Sequence, residues 1–301
     1  MTTVFEHSKA RLRRILRAAE QVHRDLEEIE RLPAPWNWPG SWLGGFQTSE
    51  EEEGQETPES VLRMAEVFSM HESELKLAMD LVQEKDLRAG WDSDAAWTTE
   101  PDWVRSTPLF ESDTVSMRLF VIPPFQLIPL HSHPRMSVYS RLFRGDLHLF
   151  SLSLSNERGR LKPSTDLDSA GPIFASCDVK GWQSGSQPTF CLSAVRGNLH
   201  ELHAGADQCV LLDVFVPPYN LRRRRQFYTP ERLTKLPVTR IASQPPSFGA
   251  LSVDPHHLQA VEVGCVVKLK TILDPANYRI VRVPFTAPSK HFQEDEEDLH
   301  P

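Results

Sequence analysis

No apolar run in the sequence reaches the roughly 18 residues that a membrane-spanning helix needs, so we expect no membrane partner. The start of the chain lacks the apolar segment of a secretory leader, which predicts a cytoplasmic protein. Cysteine is scarce: the four residues are Cys177, Cys191, Cys209 and Cys265, none of them in a C-x-x-C pair. They predict reduced thiols and exclude a disulfide framework or a zinc ribbon.

Positive charge is also in deficit, with 33 Lys and Arg residues against 41 Asp and Glu residues and a net charge of −8. This balance excludes non-specific binding to nucleic acid. Apolar residues make up 40% of the 301 residues, enough for a globular protein with a buried core. Proline, with 24 residues, outnumbers glycine, with 14, which fits many short strands better than a helical bundle.

Apolar residues near the start of the chain recur at helical spacing, from Leu12 to Ile29. The pattern predicts an N-terminal helix that ends before Pro33 and packs on the core. Arginines on its other faces leave a mitochondrial transit peptide as an alternative, against which Glu6 and Glu20 count. A second helix is predicted to start at Thr57-Pro58-Glu59, a hydroxyl cap followed by proline and an acid.

From about residue 108 the apolar period changes to two, and Pro and Gly separate short alternating segments. This density of strands predicts a mainly β barrel or sandwich. The predicted strands cover 115–121, 127–133, 137–143, 147–154, 172–178, 188–195, 199–203 and 208–216, with a late pair near 260–272 and 278–285. The predicted segments are 1–56 (a helix and an acidic linker), 57–107 (helical, packed on the barrel), 108–292 (the β domain) and 293–301 (an acidic tail).

Histidines stand out in the β segment. Side chains two residues apart lie on the same face of a strand, so His131 and His133 present two imidazoles side by side. Two neutral imidazoles can bind one divalent metal ion, although H-x-H alone is weak evidence in a chain with 12 histidines. Gly197-Asn198-Leu199-His200 brings a third. H-x-H followed by G-x-x-H resembles the cupins, which are double-stranded β-helix barrels.

Cupins often place a glutamate at the position that Val138 occupies here, so three neutral histidines remain. Three neutral ligands leave a divalent metal with its full charge of +2 and with open coordination positions. An anionic thiolate and dioxygen can both bind at those positions.

Longer runs of sequence resemble one cupin family, that of cysteamine dioxygenase and the plant cysteine oxidases, over roughly residues 58–291. The runs are Ile128-Pro129-Leu130-His131-Ser132-His133-Pro134 with Met136-Ser137-Val138, Arg144-Gly145-Asp146-Leu147-His148, Gly197-Asn198-Leu199-His200, Cys209-Val210-Leu211-Leu212-Asp213-Val214 with Pro217-Pro218-Tyr219, and Asn277-Tyr278-Arg279-Ile280-Val281-Arg282-Val283-Pro284-Phe285.

The resemblance implies a non-haem Fe(II) enzyme that adds both atoms of dioxygen to a thiol and forms a sulfinic acid. It implies cysteamine or a protein N-terminal cysteine as the substrate, an oxygen-sensing role in N-degron proteolysis, and a monomer. His131, His133 and His200 are then the iron ligands. Another metal-dependent cupin enzyme, using Mn or Zn, and a non-catalytic cupin that binds or senses a ligand remain alternatives.

Two further residues are candidates for the reaction. Asp213 lies in an apolar strand, where a carboxylate is costly unless it is hydrogen-bonded. It is interpreted as a partner of the metal ligands or an anchor for the substrate amine, with a structural acceptor as the alternative. Tyr219 follows two prolines, and its phenol either donates to bound superoxide or substrate, or packs as an aromatic on the barrel.

The remaining polar features are interpreted more plainly. His148 and His203 are treated as ordinary histidines, and Arg222–Arg225 as a solvated loop, with an acidic partner or nuclear import as alternatives. Tyr228 aligns with a tyrosine that some relatives crosslink to a cysteine, which Gln226 replaces here. Arg135 stands where relatives have glycine, at the expected pocket mouth, and leaves the substrate in doubt. Residues 155–187 are interpreted as a polar inserted loop.

Overall fold

The computed structural model describes residues 2–31, 59–88, 103–159, 161, 172–193, 196–221, 223–234, 261–273, 275, 278 and 280–282. The predicted acidic linker and the acidic tail lie outside these residues. The domain boundaries that depend on them stay predictions.

Helices cover one face of the β domain. They are α1 (Thr2–Arg31), α2 (Glu59–Asp80) and α3 (Glu84–Arg88). The apolar stripe of α1 is confirmed, because Leu12, Ile15, Ala19 and Val22 are buried against α2 and the outer face of a sheet. The second helix begins at Glu59, and the predicted cap before it lies outside the described residues. Within the described residues no helix combines the length and hydrophobicity that a bilayer crossing requires.

Twelve strands are found in the described residues. They are β1 (Val104–Glu111), β2 (Ser116–Ile122), β3 (Leu127–Ser132), β4 (Ser137–Arg144), β5 (Asp146–Ser155), β6 (Ile173–Ser184), β7 (Phe190–Leu192), β8 (Leu199–Ala204), β9 (Cys209–Val216), β10 (Phe227–Thr234), β11 (Val266–Ile272) and β12 (Ile280–Arg282).

These strands form two six-stranded layers. One sheet has the order β12–β1–β2–β9–β4–β7, and the other closes into a ring in the order β10–β11–β6–β5–β8–β3. Apolar residues from both layers, such as Phe120 and Leu211 on the first and Ile128 and Leu202 on the second, form one buried cluster between them. The predicted mainly β barrel with N-terminal helices is confirmed.

Alternation sorts the side chains of β8 onto two faces, whereas in β3 a register shift after Ile128 moves the following side chains to the other face. Leu130 and Leu199 belong to an apolar cluster within the ring, which also holds Tyr228. Ile128 and Leu202 face the opposite sheet. The β3–β8 ladder shifts its register between Ile128 and His131, and His131 then lies directly opposite His200.

Two strands were missed by the sequence analysis for the same reason. The strand β1 begins at Val104, before the predicted start of the β domain at 108, and β10 was not predicted at all. Each contains a proline, Pro108 or Pro230, and each shifts its register just after it. Proline interrupts the ladder and the alternation, so the strand signal is weak in both.

The interpretation of residues 155–187 as an inserted loop is wrong for its second half. Residues Ile173–Ser184 form β6, which pairs with β5 along its length and with β11 at its first residues. The strand is polar because many of its side chains are only half-buried. The predicted strand 172–178 is thus confirmed as the first part of β6, and low hydrophobicity hid only the part from 179 to 184, which completes the strand.

Candidate metal centre

Three histidines meet in the interior between the two layers. His131 lies near the end of β3, His133 follows that strand, and His200 is the second residue of β8. Their exposed fractions are 5%, 2% and 1%. The amide N–H of His133 donates to the carbonyl oxygen of Asn198 at 2.9 Å, which joins the first histidine motif to the second.

The imidazole nitrogens converge on one point. The Nε2 atom of His200 lies 2.9 Å from Nε2 of His133 and 3.1 Å from Nε2 of His131. With metal–nitrogen bonds of about 2.1 Å, two ligands at a right angle lie about 3.0 Å apart. The two distances therefore fit neighbouring positions around one metal ion.

Hydrogen bonds behind two of the rings orient them toward that point. Nδ1 of His131 lies 2.8 Å from the carbonyl oxygen of Pro129, which only accepts, so Nδ1 carries the proton and Nε2 a lone pair. Nδ1 of His133 lies 2.7 Å from the Tyr219 hydroxyl, which lies 2.9 Å from the carbonyl oxygen of Ser132. Both contacts are satisfied when Nδ1 donates to Tyr219 and Tyr219 donates to Ser132.

The rings are held neutral by their surroundings. Burial, and then the charge of His200, lower the pKa of His131 and of His133 well below its usual range. Burial lowers the pKa of His200 to about 3. Neutral imidazoles whose lone pairs face one another at about 3 Å repel unless a cation lies between them. The donor set therefore fits a divalent metal.

Glycine is required at the start of the second motif. Gly197 has φ of +66°, and a Cβ on it would lie 2.6 Å from Oγ of Ser151. Ser151 in turn pairs with His200 across β5 and β8. A larger residue at 197 would push β8 away from β5 and displace the third histidine.

No carboxylate joins the three histidines within the described part of the chain. Val138, at the position where cupins often have glutamate, is fully buried in the apolar cluster between the layers. The predicted charge-neutral donor set is thus the one that the structure brings together.

Asp213 lies in the middle of β9, on the face that also carries Phe215 and Leu211. Within the described residues its hydrogen-bond partner is Ser140, whose hydroxyl donates at 2.6 Å. Burial raises the pKa of this carboxyl to about 7, and the hydrogen bond from Ser140 opposes the shift. The structure therefore places Asp213 on the interior face, and a role in the reaction stays a prediction.

Tyr219 is half-buried behind His133, and its hydroxyl contacts Nδ1 of His133 and the carbonyl oxygen of Ser132. This arrangement supports a residue that orients the imidazole. Of the two sequence interpretations, packing on the barrel is observed, because the ring contacts the apolar cluster between the layers, and donation to a substrate stays a prediction. Burial raises the pKa of the phenol well above its usual range, so the hydroxyl keeps its proton.

The other histidines lie elsewhere. His203 is on the opposite face of β8 from His200, and its Nε2 lies 2.5 Å from a carboxylate oxygen of Glu201. His148 packs 5.3 Å from the ring of Trp182 and 6.3 Å from that of His203. In the apolar cluster of the closed strand ring, the Tyr228 hydroxyl donates to Oε1 of Gln226 at 2.7 Å. Gln226 is the residue that replaces the crosslinking cysteine.

Two residues near the histidines were missed by the sequence analysis. The ring of Phe215 stacks on that of His133, with centroids 5.9 Å apart, and the alternation of β9 could have found it. Arg225 was interpreted as part of a solvated loop, yet it is half-buried and its guanidinium lies over the ring of Phe227 at 4.8 Å. Its charge contributes to lowering the pKa of His131 and His133. The solvated-loop interpretation is wrong for this residue.

Arg135 is exposed in the turn that follows His133. Its φ is +55°, in the left-handed region that favours glycine. Arg135 therefore differs from the glycine of the resembling family in two ways: it adds a long side chain, and it places that side chain on a backbone conformation that favours glycine.

The fold and the site define a cupin with three histidines placed to hold a metal ion. The family model described as PCO_ADO matches residues 67–289, so the chain belongs to this family. The resemblance to cysteamine dioxygenase and the plant cysteine oxidases is thereby confirmed.

Curated relatives match over shorter segments. A probable 2-aminoethanethiol dioxygenase of Dictyostelium discoideum is 26% identical over 125 residues, 41% of this chain and 54% of that protein. Plant cysteine oxidase 2 of Arabidopsis thaliana is 32% identical over 112 residues, 35% of this chain and 36% of that protein. The chain thus spans about half the length, or less, of these relatives.

Solved structures match at low identity. A cupin superfamily protein from Desulfitobacterium hafniense is 13% identical, with a TM-score of 0.28, over 40% of this chain and 84% of that one. Oxalate oxidase in complex with the substrate analogue glycolate is 18% identical, with a TM-score of 0.29, over 43% of this chain and 57% of that one.

Proposed function

We propose that the protein is a non-haem Fe(II) thiol dioxygenase that acts on an aminothiol, either cysteamine or the N-terminal cysteine of a protein. The reaction adds both atoms of one dioxygen molecule to the sulfur. Written as R–SH + O2 → R–SO2H, it balances without a further reductant. Because oxygen is consumed, the rate would follow the oxygen level.

The observation that carries the proposal is the convergence of three Nε2 atoms in a buried, charge-neutral donor set. His131, His133 and His200 would hold the metal. A bound ferrous ion supplies the redox chemistry by which dioxygen and a thiolate react. The names of two relatives, a 2-aminoethanethiol dioxygenase and a plant cysteine oxidase, support this substrate class.

The chain's own groups prepare the site for that chemistry. The Pro129 carbonyl and the Tyr219 hydroxyl fix the tautomers of His131 and His133, so that the Nε2 lone pairs face inward. Phe215 stacks on His133 and limits the access of water to its ring. Burial keeps all three imidazoles unprotonated, which a ligand to a cation requires.

Oxygen uptake by protein reconstituted with Fe(II) tests the proposal. Cysteamine, free cysteine and a short peptide that begins with cysteine are each supplied, and the products are weighed by mass spectrometry. We expect a mass gain of two oxygen atoms, both labelled when ¹⁸O₂ is used. Iron-loaded protein that consumes no oxygen with any of the three thiols would overturn the enzyme proposal and favour a binding protein.

A further inference from the structure

Arg225 differs from several other arginines in its partners. Four arginines pair with carboxylates: Arg11 with Asp86, Arg118 with Glu111, Arg141 with Asp80 and Arg144 with Glu84. Within the described residues no carboxylate forms an ion pair with Arg225, although the side chain is half-buried. A half-buried charge without a counter-charge is costly, so its place calls for a ligand.

The strand register places Arg225 on the histidine face. Phe227 pairs with His131 across β10 and β3. Next to it, the amide of Ser132 donates to the carbonyl of Gln226 at 3.0 Å, and the amide of Gln226 donates to Oγ of Ser132 at 3.3 Å. This antiparallel pairing sets Arg225 opposite His133. Residues that face each other across antiparallel strands share a face.

Two aromatic rings hold the guanidinium beside the site. Its central carbon lies 4.8 Å from the ring centroid of Phe227 and 5.7 Å from that of Tyr278. The Phe227 ring lies 6.1 Å from that of His131. Stacking uses the flat face of a guanidinium, whereas its N–H donors lie in the plane of the group. A guanidinium that stacks on these rings would keep its N–H donors for an acceptor in the plane of the group.

We infer that Arg225 is a specificity-determining residue that binds a carboxylate carried by the thiol substrate. The inference rests on the proposed function. Carboxylate is the group whose planar geometry a guanidinium matches with two parallel hydrogen bonds. Two kinds of thiol substrate carry a carboxylate. One is free cysteine, with its α-carboxylate, and the other is a protein in which an acidic side chain follows the N-terminal cysteine.

Two neighbouring arginines add positive charge that complements an anionic substrate. Arg223 and Arg224 lie in the same loop as Arg225. The Nε–H of Arg223 donates to the carbonyl oxygen of Pro218, and that of Arg224 donates to the carbonyl oxygen of Leu221. The chain as a whole carries a net charge of −8, so this positive segment stands out locally. It would attract an anionic substrate and disfavour a cationic one. Cysteamine, which carries an ammonium and no carboxylate, gains nothing from Arg225.

The test measures binding without turnover. Isothermal titration is carried out anaerobically on the Fe(II)-loaded full chain and repeated on metal-free protein. One pair of probes is L-cysteine and cysteamine, and the other is Cys-Glu-Gly-Gly and Cys-Gln-Gly-Gly, both amidated at the C-terminus so that only the first peptide carries a carboxylate. The proteins are wild type, Arg225→Gln, Arg225→Lys and the control Arg158→Gln, which removes an equal charge from an exposed turn.

We expect wild type to bind the carboxylate-bearing member of at least one pair about tenfold more tightly or better, as a charged hydrogen-bonded pair does. Arg225→Gln should lose this preference while its affinity for the member of the pair that lacks the carboxylate changes less than twofold. Arg225→Lys should keep part of it, and Arg158→Gln all of it. The pair that shows the preference identifies the source of the carboxylate.

Equal affinities within both pairs for wild type overturn the inference, whether or not the variants fold. A preference that survives in Arg225→Gln overturns it as well. Neither result affects the proposed function, which oxygen uptake with cysteamine tests separately. Protein that binds no thiol at all removes both proposals.

Discussion

The two faces of β8 carry histidines with opposite surroundings. His200 points between the layers, with an exposed fraction of 1%, and its Nε2 lies near two other imidazoles. His203 points the other way, its side chain 36% exposed and its Nε2 beside the carboxylate of Glu201. The same residue type on one strand thus has two environments. Burial lowers the pKa of His200 to about 3, and the neutral imidazole that results is the form that binds a metal.

Replacement of the two histidines should give the largest contrast. We expect His200→Ala to lose bound metal and to lower oxygen uptake more than about a hundredfold, because two imidazoles alone hold a divalent ion weakly. His203→Ala should keep both properties. Metal content by mass spectrometry and circular dichroism of each variant check this. Turnover retained in a folded His200→Ala protein would remove His200 from the ligand set.

A second contrast compares two tyrosines. Tyr219→Phe removes the acceptor for Nδ1–H of His133, so we expect metal affinity to fall about 10- to 100-fold with the fold retained. Tyr228→Phe, on the ring side and bonded to Gln226, is the matched control and should leave it unchanged. Competition with a metal-binding dye measures both. Equal affinity in the two variants would show that the hydrogen bond does not position the ligand.

A third contrast concerns pH and the buried carboxyl of Asp213. Burial raises its pKa to about 7 from the usual 3.8, so the folded protein holds this proton at pH values where the unfolded chain has released it. Stability should therefore fall as the pH rises from about 4 to about 7 and level off above, by proton linkage.

Asp213→Asn should flatten that part of the pH profile. The exposed residue Asp207, changed to Asn in the same way, serves as the control. Unfolding midpoints measured in steps between pH 5 and 8 give the slopes. A slope in Asp213→Asn as steep as in wild type would contradict the raised pKa.

The smallest effect is expected in the turn that follows the first motif. Arg135→Gly relieves a side chain in the left-handed region, and we expect a gain of about 0.5–1 kcal/mol in the free energy of unfolding after the cost of a more flexible unfolded chain. Arg135→Ala keeps the Cβ and should gain little. Urea denaturation separates the two, and equal stabilities would mean that the turn carries no such strain.

Much of the fold could be predicted because the buried strands are short apolar segments that Pro and Gly separate. The predicted strand that became β9 has its apolar residues on both faces, and β3 leads directly into the histidine pair. The strands β1 and β10 escaped detection because Pro108 and Pro230 interrupt them. The second half of β6, after the predicted strand 172–178, escaped detection because a half-buried strand needs few apolar side chains.

The sequence by itself determined the three imidazoles and the absence of glutamate at Val138, since residue identity and spacing fix which donors a strand presents. Only the tertiary structure decided which groups stand behind those donors. The pairing of β10 with β3 brings Arg225 and Phe227 to His131 from far along the chain, and the fold places the Tyr219 hydroxyl on His133. Such contacts join residues distant in sequence, so they depend on the closure of the ring and leave no local pattern to find.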